Sequence, residues 1–153
     1  MVQHTFRIFV TVLAINLVTS LAHAQTPPAP QALLDANTAT ETQIAAVPHL
    51  NATIAKSIVS KRPFKSVTEL DALLTPTLSR AQIGEVYARL FVPVNLNTGT
   101  DAEILLIPGV GNRLLREFKE YRPYDAIERF RREIGKYVNK DEVARLERYV
   151  VIK

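Results

Sequence analysis

Residues 37–64 (NTATETQIAAVPHLNATIAKSIVSKRPF) lie over residues 97–124 (NTGTDAEILLIPGVGNRLLREFKEYRPY) at a constant offset of 60, without a gap. Asn37, Thr38, Thr40, Ile44, Pro48, Arg62 and Pro63 return as Asn97, Thr98, Thr100, Ile104, Pro108, Arg122 and Pro123. Lys56 becomes Arg116 and Phe64 becomes Tyr124. The identities fall on residues that punctuate a backbone, where chance agreement is least expected. An internal repeat of this kind constrains the fold more than composition does, because each copy has to build the same supersecondary unit.

The helix signals repeat with it. Thr40-x-x-Gln43 and Thr100-x-x-Glu103 are capping boxes, in which the threonine and the third helical residue satisfy each other's free amides. Ser79-x-x-Gln82 and Asn139-x-x-Glu142 open a further helix in each half, and Ser66-x-x-Glu69 and Asp125-x-x-Glu128 open a third, shifted by one residue. Arg62-Pro63 and Arg122-Pro123 end the preceding helix, since a residue before proline avoids the α region. The spacing predicts helices near 41–47, 52–61, 67–74 and 80–90, and again near 101–107, 112–121, 126–134 and 140–149. Inward faces come from apolar residues at helical spacing, such as Val67, Leu70 and Leu74 or Ile127, Phe130 and Ile134. No stretch sustains strand alternation, and Leu90–Asn97 (LFVPVNLN) reads as an extended linker. The expected fold is all-α.

Ahead of the repeat, a weakly positive head (Met1–Arg7), an apolar run (Ile8–Val18) and Ala22-x-Ala24 before Gln25 form the three-part pattern of a secretory signal. The run is shorter than the roughly 20 residues that span a bilayer, so cleavage after residue 24 and export, into a periplasm, are expected, with no membrane association afterwards. Thr26–Pro30 (TPPAP) continues as a Pro-rich leader. The chain has no cysteine, which excludes disulfides and thiolate metal sites. Without Arg7, the 19 Lys+Arg become 18 against 15 Asp+Glu, a net charge of +3. Any basic footprint must therefore be local.

One such place is Ile107–Phe118 (IPGVGNRLLREF). A helix must stop after Ile107 and another start near Asn112. Gly109 can take the positive φ that ends a helix, and Gly111 leaves the amides of the next helix uncovered. Helix N-terminal amides are unsatisfied donors at the positive end of the dipole, hence an anion site. Arg113 and Arg116 stand three apart on one face of that helix, completing a phosphate clamp. The plainer reading is a tight helix–helix corner with solvated arginines.

The combination of Val94–Thr100 (VNLNTGT), Ile107–Gly111 (IPGVG) and Arg122–Tyr124 (RPY) resembles, in order and spacing, the helix-hairpin-helix repeat of the bacterial competence DNA-uptake receptors (ComEA-like). LLDANTAT, VPHLN and RPF match the same blocks less well in the first half. The resemblance implies two tandem compact four-helix modules of the paired helix-hairpin-helix type, at 33–92 and 93–153, after a signal peptide (1–24) and the leader (25–32). It also implies an exported protein that binds double-stranded DNA without sequence preference through hairpin amides. Carried over by position, phosphate binding falls on Gly109, Val110, Gly111 and Asn112, with Arg113 and Arg116. Lys56, Arg129, Arg131 and Arg132 are candidate supporting charges, and the hairpin carbonyls are a place where the family sometimes holds a monovalent cation. The first copy departs from the pattern: His49 and Asn51 replace the two glycines, and their side chains would crowd a phosphate. Leu115 also stands where Ala55 keeps the small residue common in the second helix.

His49 is the one histidine after residue 24, and the carboxylates follow helix caps and i,i+3 or i,i+4 pairs. No enzyme, cofactor or metal centre is expected. Arg129, Arg131 and Arg132 also fit an ordinary amphipathic helix whose arginines point to water. A second class of function, a protein-interaction or structural module on the same scaffold, fits the low net charge and the altered turns.

Overall fold

The computed structural model describes residues 32–153. Residues 1–31, which contain the expected signal segment and all but the last residue of the leader, lie outside the described residues. The elements are β1 (Leu34–Asp35), α1 (Glu41–Ala45), α2 (Ala52–Ser60), α3 (Val67–Leu74), α4 (Arg80–Tyr87), β2 (Leu90–Phe91), β3 (Val94–Asn95), α5 (Asp101–Leu105), α6 (Asn112–Glu120), α7 (Ile127–Ile134), α8 (Lys140–Glu147) and β4 (Val150–Val151). Every boundary of the first half returns 60 residues later. The described residues form an all-α fold with four two-residue strands. No helix among the described residues is long and apolar enough to cross a membrane.

The capping boxes form at Thr40/Gln43, Ser79/Gln82 and Thr100/Glu103, with both hydrogen bonds of each present. Asn139 caps α8 by accepting from the Glu142 amide, but the Glu142 carboxylate turns to Arg145 instead of closing the box. The Asp125-x-x-Glu128 box expected for α7 does not form: Ala126 is the N-cap and makes no side-chain bond. Ser66 is the N-cap of α3, yet its hydroxyl pairs with Thr68, leaving the helix amides alone. α1 and α5 stop two residues short of 47 and 107, because Val47 and Ile107 tighten into i→i−3 bonds with Ile44 and Ile104 and turn into the core.

The segment read as a linker is structured. Leu90–Phe91 pairs in parallel with Leu34–Asp35, and Val94–Asn95 with Val150–Val151, so the start of each half is bonded to its own end. Leu90, Phe91 and Val92 are buried, which explains why this apolar stretch leaves solvent. α4 and α8 end at Tyr87 and Glu147, ahead of the expected 90 and 149, to feed these strands.

The repeated asparagine and arginine tie each half together in the same way. Asn37 bonds both backbone groups of Phe64, at 3.0 and 2.8 Å, and Asn97 does so to Tyr124 at 2.9 and 2.6 Å. Arg62 donates to the carbonyls of Ala36 and Ala39, and Arg122 to those of Leu96 and Gly99. Both Arg-Pro bonds are cis.

The buried residues of the two halves form one cluster. At its centre Phe91 meets Tyr87 and Tyr149 edge-on, with ring centroids 5.3 and 4.9 Å away, and the Tyr149 hydroxyl donates to the Tyr87 carbonyl at 3.1 Å.

Candidate nucleic-acid interface

The turn between α5 and α6 is anchored by its apolar residues. Ile107 and Val110 are buried, and the Val110 amide donates to the Ile107 carbonyl at 3.0 Å. Gly109 between them is exposed and has φ +81°, the left-handed region that a side chain disfavours. Gly111 then extends (φ −109°, ψ −178°) and is the N-cap of α6. It offers no side chain to the helix, and a Cβ built on it meets nothing within 4 Å. The first intrahelical bond runs from Leu115 N to Gly111 O. The amides of Asn112, Arg113 and Leu114 are therefore in the turn that helix geometry leaves without internal partners, at the positive end of the dipole.

Arg113 and Arg116 are exposed on the first two turns of α6. The Arg113 guanidinium lies 5.8 Å from the centroid of the Tyr137 ring, and the Tyr137 hydroxyl is 2.8 Å from that of Tyr121. Among the described residues, neither arginine takes part in an ion pair. Asn112 is exposed as well, whereas the buried side chain of Val110 leaves only its backbone available.

Arg145, on α8, was not singled out by the sequence. Its Nη2 donates to the Pro108 carbonyl at 2.5 Å and to Glu142 at 2.7 Å, its Nε donates to Glu142 at 2.7 Å, and the guanidinium stacks 5.6 Å from the Tyr149 ring centroid. A Cβ on Gly109 would come within 2.9 Å of that Nη2. The only sequence signal was a Glu-x-x-Arg spacing that reads as a surface pair. The Arg145 hydrogen bonds hold the Glu142 carboxyl below the usual carboxylate range. Two hairpin carbonyls that the resemblance offers to a monovalent cation, Ile107 and Pro108, already accept Val110 N and Arg145.

The supporting charges are placed differently from the hairpin arginines. Arg131 makes a bidentate bond to Glu147, at 2.7 and 2.5 Å, and reaches Glu128 at 3.3 Å. Arg132 is paired with Glu133, which also binds Lys136. These partners hold Glu133 below the ordinary carboxylate range, Lys136 contributing most and Arg132 next, so much of the basic cluster on α7 is already neutralised. Arg129 is half-buried, and its Nε has no hydrogen-bond partner among the described residues. Lys56, the counterpart of Arg116, lies on α2 beside the first hairpin.

That first hairpin has the same backbone. His49 takes φ +67°, and Leu50 is buried where Val110 is. Its surroundings differ. The Asn51 side chain accepts from the Ile54 amide at 2.9 Å, filling the α2 N-terminus, and His49 Nε2 lies 2.8 Å from the Glu85 carboxylate on α4.

No curated protein and no solved structure matches the chain. The family model described as the helix-hairpin-helix motif matches residues 30–75. The matched segment runs from β1 through α3 and includes the turn at His49, whose left-handed backbone joins two short helices. The pattern over residues 30–75 and the geometry of residues 34–74 within it agree on a helix-hairpin-helix motif.

Proposed function

We propose that the protein binds the phosphate backbone of double-stranded DNA, without sequence preference, at the α5–α6 hairpin, and that it does so as an exported, periplasmic accessory of DNA uptake. The helix-hairpin-helix match supports nucleic-acid binding as the class of function. The observation that carries the assignment to this hairpin is the uncapped N-terminus of α6 at Gly111, with Arg113 and Arg116 exposed beside it. Backbone amides and guanidinium groups complement phosphate oxygens and read no base edge, so the contacts position a duplex without selecting its sequence. With few phosphate contacts, affinity falls in the non-specific range, about 10⁻⁴–10⁻⁶ M at physiological salt. No chemistry on the DNA and no cofactor are required. Export rests on residues 1–24, and an N-terminus at Gln25 in the periplasmic fraction is its test.

The experiment is fluorescence anisotropy of labelled duplexes of two unrelated sequences, titrated with the purified protein and with Gly111→Glu at several salt concentrations. Equal affinity for both duplexes, a log–log salt slope of roughly −0.9 per phosphate contact, and loss of binding in Gly111→Glu are expected. Absence of binding at low salt overturns the reading. It would favour the alternative, a protein-interaction module. The feature that supports this alternative is the groove between α4 and the hairpin, lined by Ile83, Gly84 and Pro108, with Leu105 at its edge 41% exposed.

A further inference from the structure

We propose that two facing positions, 49 with 85 in the first half and 109 with 145 in the second, together with the cap residues 51 and 111, decide which hairpin accepts a phosphodiester. Glu85 and Asn51 close the first hairpin, and Arg145 is the positioning residue that holds the second one open. This rests on the reading of the protein as a DNA-backbone binder.

The positions correspond by the 60-residue offset, and the structure puts each pair in contact. In the second half, Gly109 has no side chain and Arg145 fills the space, its Nη2 sitting 2.9 Å from where a Cβ would be. A side chain at 109 therefore forces the Arg145 guanidinium to shift from its place against Pro108 O. In the first half the arrangement is inverted. Position 49 carries a side chain that reaches back to α4, and position 85 is a carboxylate that receives it at 2.8 Å.

The charged groups at the two turns are matched differently. Arg145 is balanced by Glu142, so it adds little net charge to the second turn, and its bond to Pro108 O fixes the turn that presents the α6 amides. Glu85, 65% exposed, leaves an anion beside the first turn, within the roughly 8 Å over which surface charges act at physiological salt. The donor groups differ too. The α2 amide that a phosphate oxygen would use is bonded to Asn51, while Gly111 leaves its counterpart in α6 free. A phosphate approaching the first hairpin must displace a side-chain cap and face a carboxylate partnered by His49, whereas at the second it meets no side-chain cap and the nearby carboxylate, Glu142, is bonded to Arg145.

The test transplants one set onto the other. The full-length Gly111→Glu variant, with the second hairpin blocked, serves as background, and His49→Gly, Asn51→Gly and Glu85→Arg are added together. Regained anisotropy binding of a labelled duplex, with the salt slope steepening by about 0.9 per recovered contact, is the expected result. A folded quadruple variant, judged by circular dichroism and a cooperative melt, that still fails to bind overturns the proposal while wild-type binding keeps the DNA reading intact. Failure of the wild type to bind removes that reading, and the proposal with it. If the transplant does not fold, the reverse set decides: Gly109→His, Gly111→Asn and Arg145→Glu must abolish binding, and retained binding refutes the proposal. For Arg145 itself, Arg145→Ala should weaken binding about tenfold, the equivalent of one lost hydrogen bond, with an unchanged salt slope. Arg145→Lys should recover most of that loss. Arg113→Ala, which removes a phosphate contact, should instead lower the slope by about 0.9. A reduced slope in Arg145→Ala, or no rescue by lysine, refutes the positioning role.

Discussion

The two glycines of the α5–α6 turn do different work, and substituting them separately should divide stability from binding. At Gly109, φ +81° places any other residue in the left-handed region, costing about 1–2 kcal/mol. The new Cβ would also sit 2.9 Å from Arg145 Nη2. Displacing that guanidinium from the Pro108 carbonyl forfeits a charge-assisted hydrogen bond, a further cost of about 1.5–3 kcal/mol. Gly109→Ala is therefore expected to lose about 2.5–5 kcal/mol, at roughly 4 °C of Tm per kcal/mol for a domain of this size. At Gly111 the backbone is extended, with φ −109°, and the space around a Cβ is open. Gly111→Asn there reproduces the cap that Asn51 makes on α2, which should stabilise the protein by a few tenths of a kcal/mol. The same side chain occupies an amide that the proposed function assigns to phosphate, so duplex binding should be lost while Tm holds or rises. Urea and thermal denaturation of both variants, beside duplex anisotropy, make the comparison. Unchanged binding by a fully stable Gly111→Asn would refute the idea that free α6 amides hold the ligand, and a neutral Gly109→Ala would refute the role given to Arg145.

Three further outcomes are expected. Phe91→Ala, which empties the contact between Tyr87 and Tyr149, should cost about 3–5 kcal/mol in a single cooperative transition; two separate transitions in the wild type would show that the halves do not share a core. Asn97→Ala leaves the Tyr124 amide and carbonyl unpaired and should cost about 1–3 kcal/mol in urea unfolding, with Asn37→Ala similar in size because its bonds to Phe64 are equivalent. Burial pushes the Tyr124 phenol up to about 12 from the ordinary 10, so its contribution is complete below pH 10 and lost as pH rises from 10 through about 12. Stability should fall across that window, and Tyr124→Phe should flatten the fall; an identical alkaline profile in the variant would contradict the assignment.

How much of this was legible in the sequence follows from where each contact lies along the chain. Caps act within three residues, so Thr40, Ser79 and Thr100 disclosed their helices and most boundaries agreed to within one or two residues. The strands stayed hidden because each is two residues long, too short to show alternation, and its partner is more than 50 residues away. Arg62 and Arg122 were read as helix ends before proline. Their larger task, holding carbonyls 23 and 26 residues earlier, has no local signature. Arg131 looked available for phosphate because its acceptor Glu147 becomes a partner only once α7 and α8 are packed, and Arg132 because its acceptor Glu133 is the adjoining residue, a spacing that does not put two side chains face to face on a helix. The 37-residue separation of Arg145 from Pro108 concealed it in the same way.

The helix-hairpin-helix match falls on residues 30–75, while the uncapped helix lies at Gly111. Both halves need a left-handed residue in the turn, a buried residue after it, and the asparagine and arginine clamps behind it, and both have them. These features make the scaffold. On the proposed reading, acceptance of an anion depends on far fewer atoms: whether the cap has a side chain, and how the charge that α4 or α8 brings to the turn is matched. The first half satisfies its own amide through Asn51 and is complete without a ligand. The second leaves that bond unmade, giving up the few tenths of a kcal/mol that a side-chain cap supplies over glycine. A duplication offers a direct route to this division, because one copy can hold the fold while its twin keeps an amide open.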